Sequence, residues 1–431
     1  MAGGLLCLFG YGFLAYTSTA YGAASLTDMY IACAIGGAVA AALWWWYGKA
    51  EARLSVGLVV LFAVAFRVVG VFAFPVLEDD FYRYLWDGYR LVEFGTPYGV
   101  PPAEFFDADL SDRYTDLLDA INYPEVATVY GPTSQWVFAL GYLIAPASAA
   151  ALQGMFAVAD LLTLLVLLRL APARWCMLYA FSPLLIKEFA FTAHPDVLGA
   201  LLAVLALLAY QKRSWLWVGA CAGLAVGVKV FALVLVPFLI GWQWRAWLSF
   251  VATIVVIALP FGLIEAWVPA GLQAMAGTWL FNAPVYALVA TWFAGASFTV
   301  VKLSLVGSFA LLWGWLYLAW LRNWWRGGPP GIEQLPHGWL WGVFFLVVPV
   351  LNPWYLVWWM PFAVLQPTLM AWVASATLLL SYATGINTQQ SGLALYEQAN
   401  WLLVVEFGLI VVAVVIDITR RRSRGDWNRA G

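Results

Sequence analysis

Three carboxylates in succession, Glu78, Asp79 and Asp80, are followed at helical spacing by Arg83, Tyr84, Trp86 and Asp87. Charged residues make up 10% of this 431-residue chain, so the cluster is unlike its surroundings. A solvated helix end accounts for one acidic residue, because carboxylates favour the unpaired amides and dipole of an N-terminus. It does not account for three that repel one another. A carboxylate among like charges against an apolar wall has a raised pKa, which suits a general base taking a proton from a hydroxyl near neutral pH. The same oxygens could hold a divalent cation such as Mg2+ or Mn2+, with Asp79 and Asp80 as the candidate ligands.

A second group, Lys187, Glu188, His194 and Asp196, falls between two apolar stretches. Ionisable side chains deep in a membrane cost about 2.5–3.5 kcal/mol each on insertion scales unless paired or solvated, which makes them functional candidates. The plainer alternative for Lys187 and Glu188 is snorkelling to the interface. Lys229, inside "GLAVGVKVFALVLVP", has apolar residues on both sides and should face an anion. Arg67, in "VAFRVVGVF", poses the same question, with snorkelling as its alternative. His194 is one of two histidines, too few imidazoles for a histidine-rich zinc site. Asn352, Trp354 and Tyr355 form a further polar and aromatic island in "PVLNPWYLVWW". Of the 27 tryptophans, Trp86, Trp279, Trp354, Trp358 and Trp359 lie beside polar islands, where an indole could stack on a sugar ring or a prenyl chain. Most of the others read as interfacial anchors.

The elements that must position these residues are membrane helices. With 64% hydrophobic residues and a mean hydropathy of +0.84, the chain holds too much apolar surface for a water-soluble globule. The expected fold is an all-α polytopic bundle, one transmembrane domain over residues 1–431 with about 12–14 spans. The first apolar run lacks a basic n-region and is read as a retained helix. A net charge of −2 excludes a nucleic-acid surface. Cys7, Cys33, Cys176 and Cys221 are scattered singly and read as buried apolar filler.

Spans are expected near 4–24, 29–47 and 54–76, then 130–146, 148–168, 175–191, 196–211, 215–228, 230–241, 247–264, 301–321, 338–352, 354–366, 368–384 and 400–418. Several are short, and helices that stop partway through a bilayer line cavities. Residues 78–128 do not span; helices at 80–95 and 102–121 should lie in the interface. Lys49, Arg53, Lys212, Arg213, Arg245, Arg322, Arg326, Arg420, Arg421, Arg422 and Arg424 mark the cytoplasmic side. Parity then requires that one of the segments within 130–168, or the tryptophan-rich stretch 278–298, fail to cross. On this topology the islands at 78–128, 184–198, 265–285 and 349–359 converge on the opposite face. Carboxylates, cations able to grip a phosphate and a greasy wall would meet there. No Walker A or Rossmann glycine pattern is present, which disfavours a nucleotide-bound donor.

These residues also carry a resemblance. "DFYRYLWDGYRLVEFGTPY" (80–98) resembles the first-loop pattern of GT-C membrane glycosyltransferases that use polyprenyl-phosphate sugars, in the mannosyltransferase-like branch. "VYGPTSQWVFAL" (129–140) is similar to that branch's helix entry, with Gly131 where proline is usual. "FSPLLIKEFAFTAHPDVLGALL" (181–202) resembles its Lys-Glu and Gly-His-Asn-Asp motif, with Ser182 for asparagine, Ala193 for glycine and Pro195 for asparagine. "GLAVGVKVFALVLVP" (223–237) and "NPWYLVWWMPF" (352–362) resemble its lysine-bearing helix and Pro-Trp-Tyr-Leu segment.

The resemblance implies an inverting hexosyltransferase, with mannose the leading sugar, in a bacterial inner (cytoplasmic) membrane and facing the periplasm or cell exterior. The donor would be a polyprenyl-phosphate sugar; the acceptor would be a lipid, glycan or protein hydroxyl. Asp80 would act as base, with Asp79 and Glu78 as the other candidates. Arg83, Lys187, His194 and Lys229 would steady the departing phosphate. Tyr84, Trp86, Asp87, Glu188, Asp196, Asn352, Trp354 and Tyr355 would complete the substrate site. The competing class is a secondary transporter or flippase, which also uses broken helices and midplane charges. It predicts internal repeats, and the two halves of the chain show no convincing similarity.

Overall fold

The computed structural model describes residues 1–22, 24–49, 54–262, 271, 279–292, 297–388 and 392–423. Arg53, Arg424 and most of the expected island at 265–285 lie outside them. Among the described residues the protein is all-α, and its strand-like pairing is confined to two isolated bridges, Phe281 with Val350 and Thr384 with Gln398.

The first half comprises α1 (Ala2–Tyr21), α2 (Leu26–Lys49), α3 (Val56–Val71), α4 (Asp80–Phe94), α5 (Asp112–Asp119), α6 (Pro132–Ile144) and α7 (Ala149–Leu170). It continues with α8 (Ala173–Ala180), the short α9 (Pro183–Leu185), α10 (Asp196–Gln211), α11 (Trp215–Val228), α12 (Val236–Ile240) and α13 (Trp244–Ala258). Beyond them the longest helices are Phe298–Gly327 and Asn400–Ser423. Among the described residues five helices are long and apolar enough to cross a membrane, six if the bent pair Pro183–Phe191 with Asp196–Gln211 is one broken span. The remainder of the hydropathy signal is carried by shorter helices such as Val56–Val71, Trp215–Val228 and His337–Val347. This is an integral membrane protein built from unequal helices. α6 is one of the short apolar helices. Its 13 residues reach about 20 Å, short of a hydrocarbon core of about 30 Å.

Local chemistry sets the boundaries that matter for the site. α4 starts at Asp80, whose charge suits the first turn, and stops at Gly95, which takes the left-handed conformation at φ 81°. Ser55 and Ser148 cap α3 and α7 through their side-chain oxygens. The expected helix at 102–121 is instead a 3-10 turn, Pro102–Phe105, and a separate α5. The intervening "FDADLS" places Asp107, Asp109 and Ser111 where side chains compete for backbone hydrogen bonds, which breaks the helix.

One continuous buried core runs from α1 to Tyr382. α4 docks closely on α6: a Cβ on Gly88 would lie 2.4 Å from the Phe138 carbonyl oxygen. Tyr84 stacks on Phe138 at 4.8 Å beside that contact. Arg67 does not snorkel. It is buried, and its Nε donates to Asp160 Oδ2 at 2.8 Å while Tyr179 donates to Asp160 Oδ1 at 2.7 Å. The pair ties α3 to α7 and α8. All four cysteines are buried and unbridged, as their scattered positions suggest.

Candidate active site

Two turns of unusual backbone deliver the key side chains. Leu77 and Ala193 adopt positive φ angles, 58° and 63°, immediately before Glu78 and His194. Non-glycine residues rarely sit there, and such strain persists where surrounding structure fixes it, often at functional sites. Lys187 and Glu188 lie on a π-helical turn, Ile186–Phe191, that extends α9. Pro195 and a 118° bend then reverse the chain into α10, which begins at Asp196. The backbone N–H of His194 closes that bend on the Glu188 carbonyl at 3.0 Å. A π turn widens the helix by one residue and is itself frequent at functional sites.

A cavity of about 750 Å³ opens against these turns. Its walls include Glu78, Asp79, Asp80, Arg83, Tyr84, Asp196, Lys229, Asn352, Trp354 and Tyr355, all singled out from the sequence. Trp279 lines it as well, in tilted contact with Tyr123 at 4.4 Å.

The remaining candidates stand behind that wall. Lys187, Glu188 and His194 are fully buried beneath it. Asp87 is buried too, accepting from Arg83 Nε at 3.0 Å, from Gln135 at 2.8 Å and from the Thr128 hydroxyl, so it fixes Arg83 rather than facing the cavity. Trp86 is buried away from the cavity, packed on Tyr89 and Phe105, and is not placed to stack on a ligand. Trp358 and Trp359 are also core residues, their indole N–H groups committed to Asp196 and His337.

Two charged assemblies result. In the first, Lys229 Nζ lies 2.9 Å from Asp196 Oδ1, and the same oxygen accepts from Trp358 at 2.8 Å. Lys229 also sits 3.7 Å over the Tyr355 ring. Gly199 permits this arrangement, since a Cβ there would lie 1.9 Å from Trp358. In the second, Glu188 receives Tyr382 on both oxygens, at 3.0 and 3.1 Å, and Lys187 Nζ at 3.3 Å. His194 Nδ1 is 3.1 Å from Glu188 Oε2. His194 Nε2 points to Asp80 Oδ2 at 3.9 Å, and the ring is stacked on Trp354 at 3.9 Å.

Asp80 Oδ2 is also approached by the Tyr84 and Tyr130 hydroxyls, at 3.4 and 3.5 Å. Burial pushes the Glu78 carboxyl well above the ordinary range. Burial and the neighbouring Asp80 push Asp79 up to about 6. Carboxylates able to accept a proton therefore share one cavity with a lysine and an arginine able to meet an anion.

Sequence reasoning missed Tyr130, Tyr382, Asn122, Tyr123 and Tyr396. Tyr130 had a faint signal, as the aromatic preceding the "GP" entry of α6. Single tyrosines and asparagines in loops offer no spacing to read.

An all-α bundle with a carboxylate-lined, cation-bearing cavity at its helix breaks is compatible with a membrane-embedded transferase and with a transporter alike, and the family match distinguishes them. Residues 14–246, more than half the chain, match the family described as alpha-(1->6)-mannopyranosyltransferase, N-terminal domain, and the chain belongs to that family. It is therefore a mannosyltransferase by family. Among curated proteins and solved structures, none matches.

Proposed function

We propose that the protein moves mannose from a polyprenyl-phosphate donor to a hydroxyl of an envelope lipid, glycan or protein, with inversion at C1, on the extracytoplasmic side of a bacterial inner membrane. One observation carries this reading: Glu78, Asp79, Asp80, Arg83 and Lys229 line a single cavity whose other walls are mainly aromatic and apolar. The acceptor hydroxyl gives its proton to Asp80, with Asp79 and Glu78 as alternatives, and its oxygen attacks C1 of the sugar. The C1–O bond to phosphate breaks and its electron pair leaves with the phosphate. Charge on that leaving group is met by Lys229 and Arg83 at the wall. Lys187 contributes from behind, as part of the buried lattice that fixes Glu188 and His194. The logic parallels the base half of inverting glycoside hydrolysis.

The test is transfer by purified protein from synthetic polyprenyl-phosphate mannose to a lipid extract, with the anomer of the product determined. Inverted product supports the proposal. Retained configuration overturns the mechanism, and turnover of nucleotide-linked mannose alone overturns the donor.

A further inference from the structure

We propose that Glu78, Asp80 and His194 form a divalent-cation site in the cavity wall, filled by an ion that accepts mixed oxygen and imidazole ligands. One ligand atom from each of the three lies within 4.8 Å of the others. Ligands sharing a cation at about 2.1 Å stand about 3 to 4.2 Å apart. The 3.9 Å between His194 Nε2 and Asp80 Oδ2 fits this spacing, and Glu78 offers an oxygen within 4.8 Å of both.

Clustered carboxylates alone would not make such a site. The imidazole supplies a second, independent observation. His194 is fully buried, its Nε2 has no hydrogen-bond partner, and that nitrogen is aimed at the carboxylates. An unpartnered polar group in a buried setting is costly, and an ion would satisfy it. The ring is held for ligation from its face and its far edge: Trp354 stacks on it, and Glu188 Oε2 lies 3.1 Å from Nδ1. A carboxylate behind a ligating histidine is a recurrent arrangement at metal centres.

Charge balance points the same way. The nearby cations already have anionic partners: Lys187 has Glu188, Arg83 has Asp87, Lys229 has Asp196 and Arg67 has Asp160. Among the described residues Glu78 and Asp79 have no ion-pair partner, and Asp80 has His194 alone, at 3.9 Å. A divalent ion would relieve that excess.

The inference rests on the proposed transfer reaction for its catalytic meaning. A cation beside Asp80 orients the acceptor hydroxyl and makes its proton easier to remove. The contacts described for Asp80 run through Oδ2, which leaves the other oxygen to receive the proton.

Mn2+ is the probe ion, its binding to purified, chelator-stripped protein followed by electron paramagnetic resonance. Wild type should bind one Mn2+ per chain saturably. Glu78→Gln and His194→Gln should each weaken binding at least tenfold while melting as cooperatively as wild type in chelator. The same samples are assayed for mannose transfer. Absence of saturable binding, or equal affinity in both variants, overturns the site whatever the activity. Transfer unchanged after the ion has been stripped overturns its role in the reaction. Saturable binding without transfer from any polyprenyl-phosphate mannose leaves the site standing and overturns the transferase chemistry instead.

Discussion

The Tyr382 hydroxyl donates to both oxygens of Glu188, at 3.0 and 3.1 Å, although 194 positions separate the two residues. The bond joins a C-terminal segment outside the family match to the π-helical turn inside it. Hydrogen bonds to buried charge contribute about 1.5–3 kcal/mol. Tyr382→Phe should lower the melting temperature by several degrees and reduce kcat, because Glu188 then no longer holds its place beside His194. A variant with wild-type melting and kcat would show that Lys187 alone suffices.

Asp80→Asn keeps the shape of the side chain and removes its capacity to accept a proton. Transfer should fall by about 10²–10⁴-fold, the usual contribution of a general base. Binding of a polyprenyl-phosphate donor, measured by equilibrium dialysis in detergent, should stay within a few-fold of wild type. Full activity would take Asp80 out of the base role.

Lys229→Ala removes a cation at the cavity wall and leaves Asp196 buried with Trp358 as its remaining described partner. The donor KM should rise about tenfold or more, and stability should drop, since breaking a buried pair costs about 3–5 kcal/mol. Asp196→Asn, which keeps Lys229 but weakens its anchor, separates the two effects. An unchanged donor KM in Lys229→Ala would mark a purely structural lysine.

The Asp79 carboxyl gives a pH-dependent signature. Its folded-state pKa of about 6 lies above the ordinary value of 3.8, so the folded protein holds the extra proton between those limits. Stability from this group is therefore present at low pH and is lost as pH rises from about 4 to 6. Asp79→Asn lacks that loss. With chelator present, the melting temperature of Asp79→Asn relative to wild type should climb between pH 4.5 and pH 7. A flat difference would place Asp79 in an unstrained, solvated setting.

Ala193 occupies a left-handed backbone position at φ 63° directly before His194. A Cβ in that conformation costs about 1–2 kcal/mol, partly offset by the lower unfolded-state entropy that alanine brings. Ala193→Gly should raise stability by up to about 1 kcal/mol, read as a higher melting temperature, with transfer retained. Destabilisation would mean that the alanine methyl packs more favourably than its backbone is strained.

Much of this was legible because it is local. The alternation of charge and aromatic residues after Asp80 ends at a glycine, and α4 follows it from Asp80 to Phe94. α10 and α11 coincide with their apolar runs, 196–211 and 215–228. Ala193 in place of a motif glycine was visible as a substitution, and the backbone angle supplies its physical meaning. What stayed hidden depends on partners far away in sequence. Arg67 looked ready to snorkel because Asp160, across 93 positions, carries no local cue. Trp86 looked like a stacking platform because helical spacing does not reveal which side of α4 faces the core. The 102–121 helix failed on its aspartates, which periodicity overlooks.

The cavity has a divided origin. Glu78, Asp80, Arg83, Asp196 and Lys229 come from the first 230 residues, whereas Trp279, Phe281, Asn352, Trp354, Asn387 and Tyr396 come from the latter part of the chain. The charged groups of its wall thus come chiefly from one stretch of the gene, and much of its aromatic and amide lining from another. A chimaera that joins this N-terminal half to the C-terminal half of a relative should keep the charged wall while exchanging the lining around it, and should stay active where the relative preserves the equivalents of Trp354 and Tyr382.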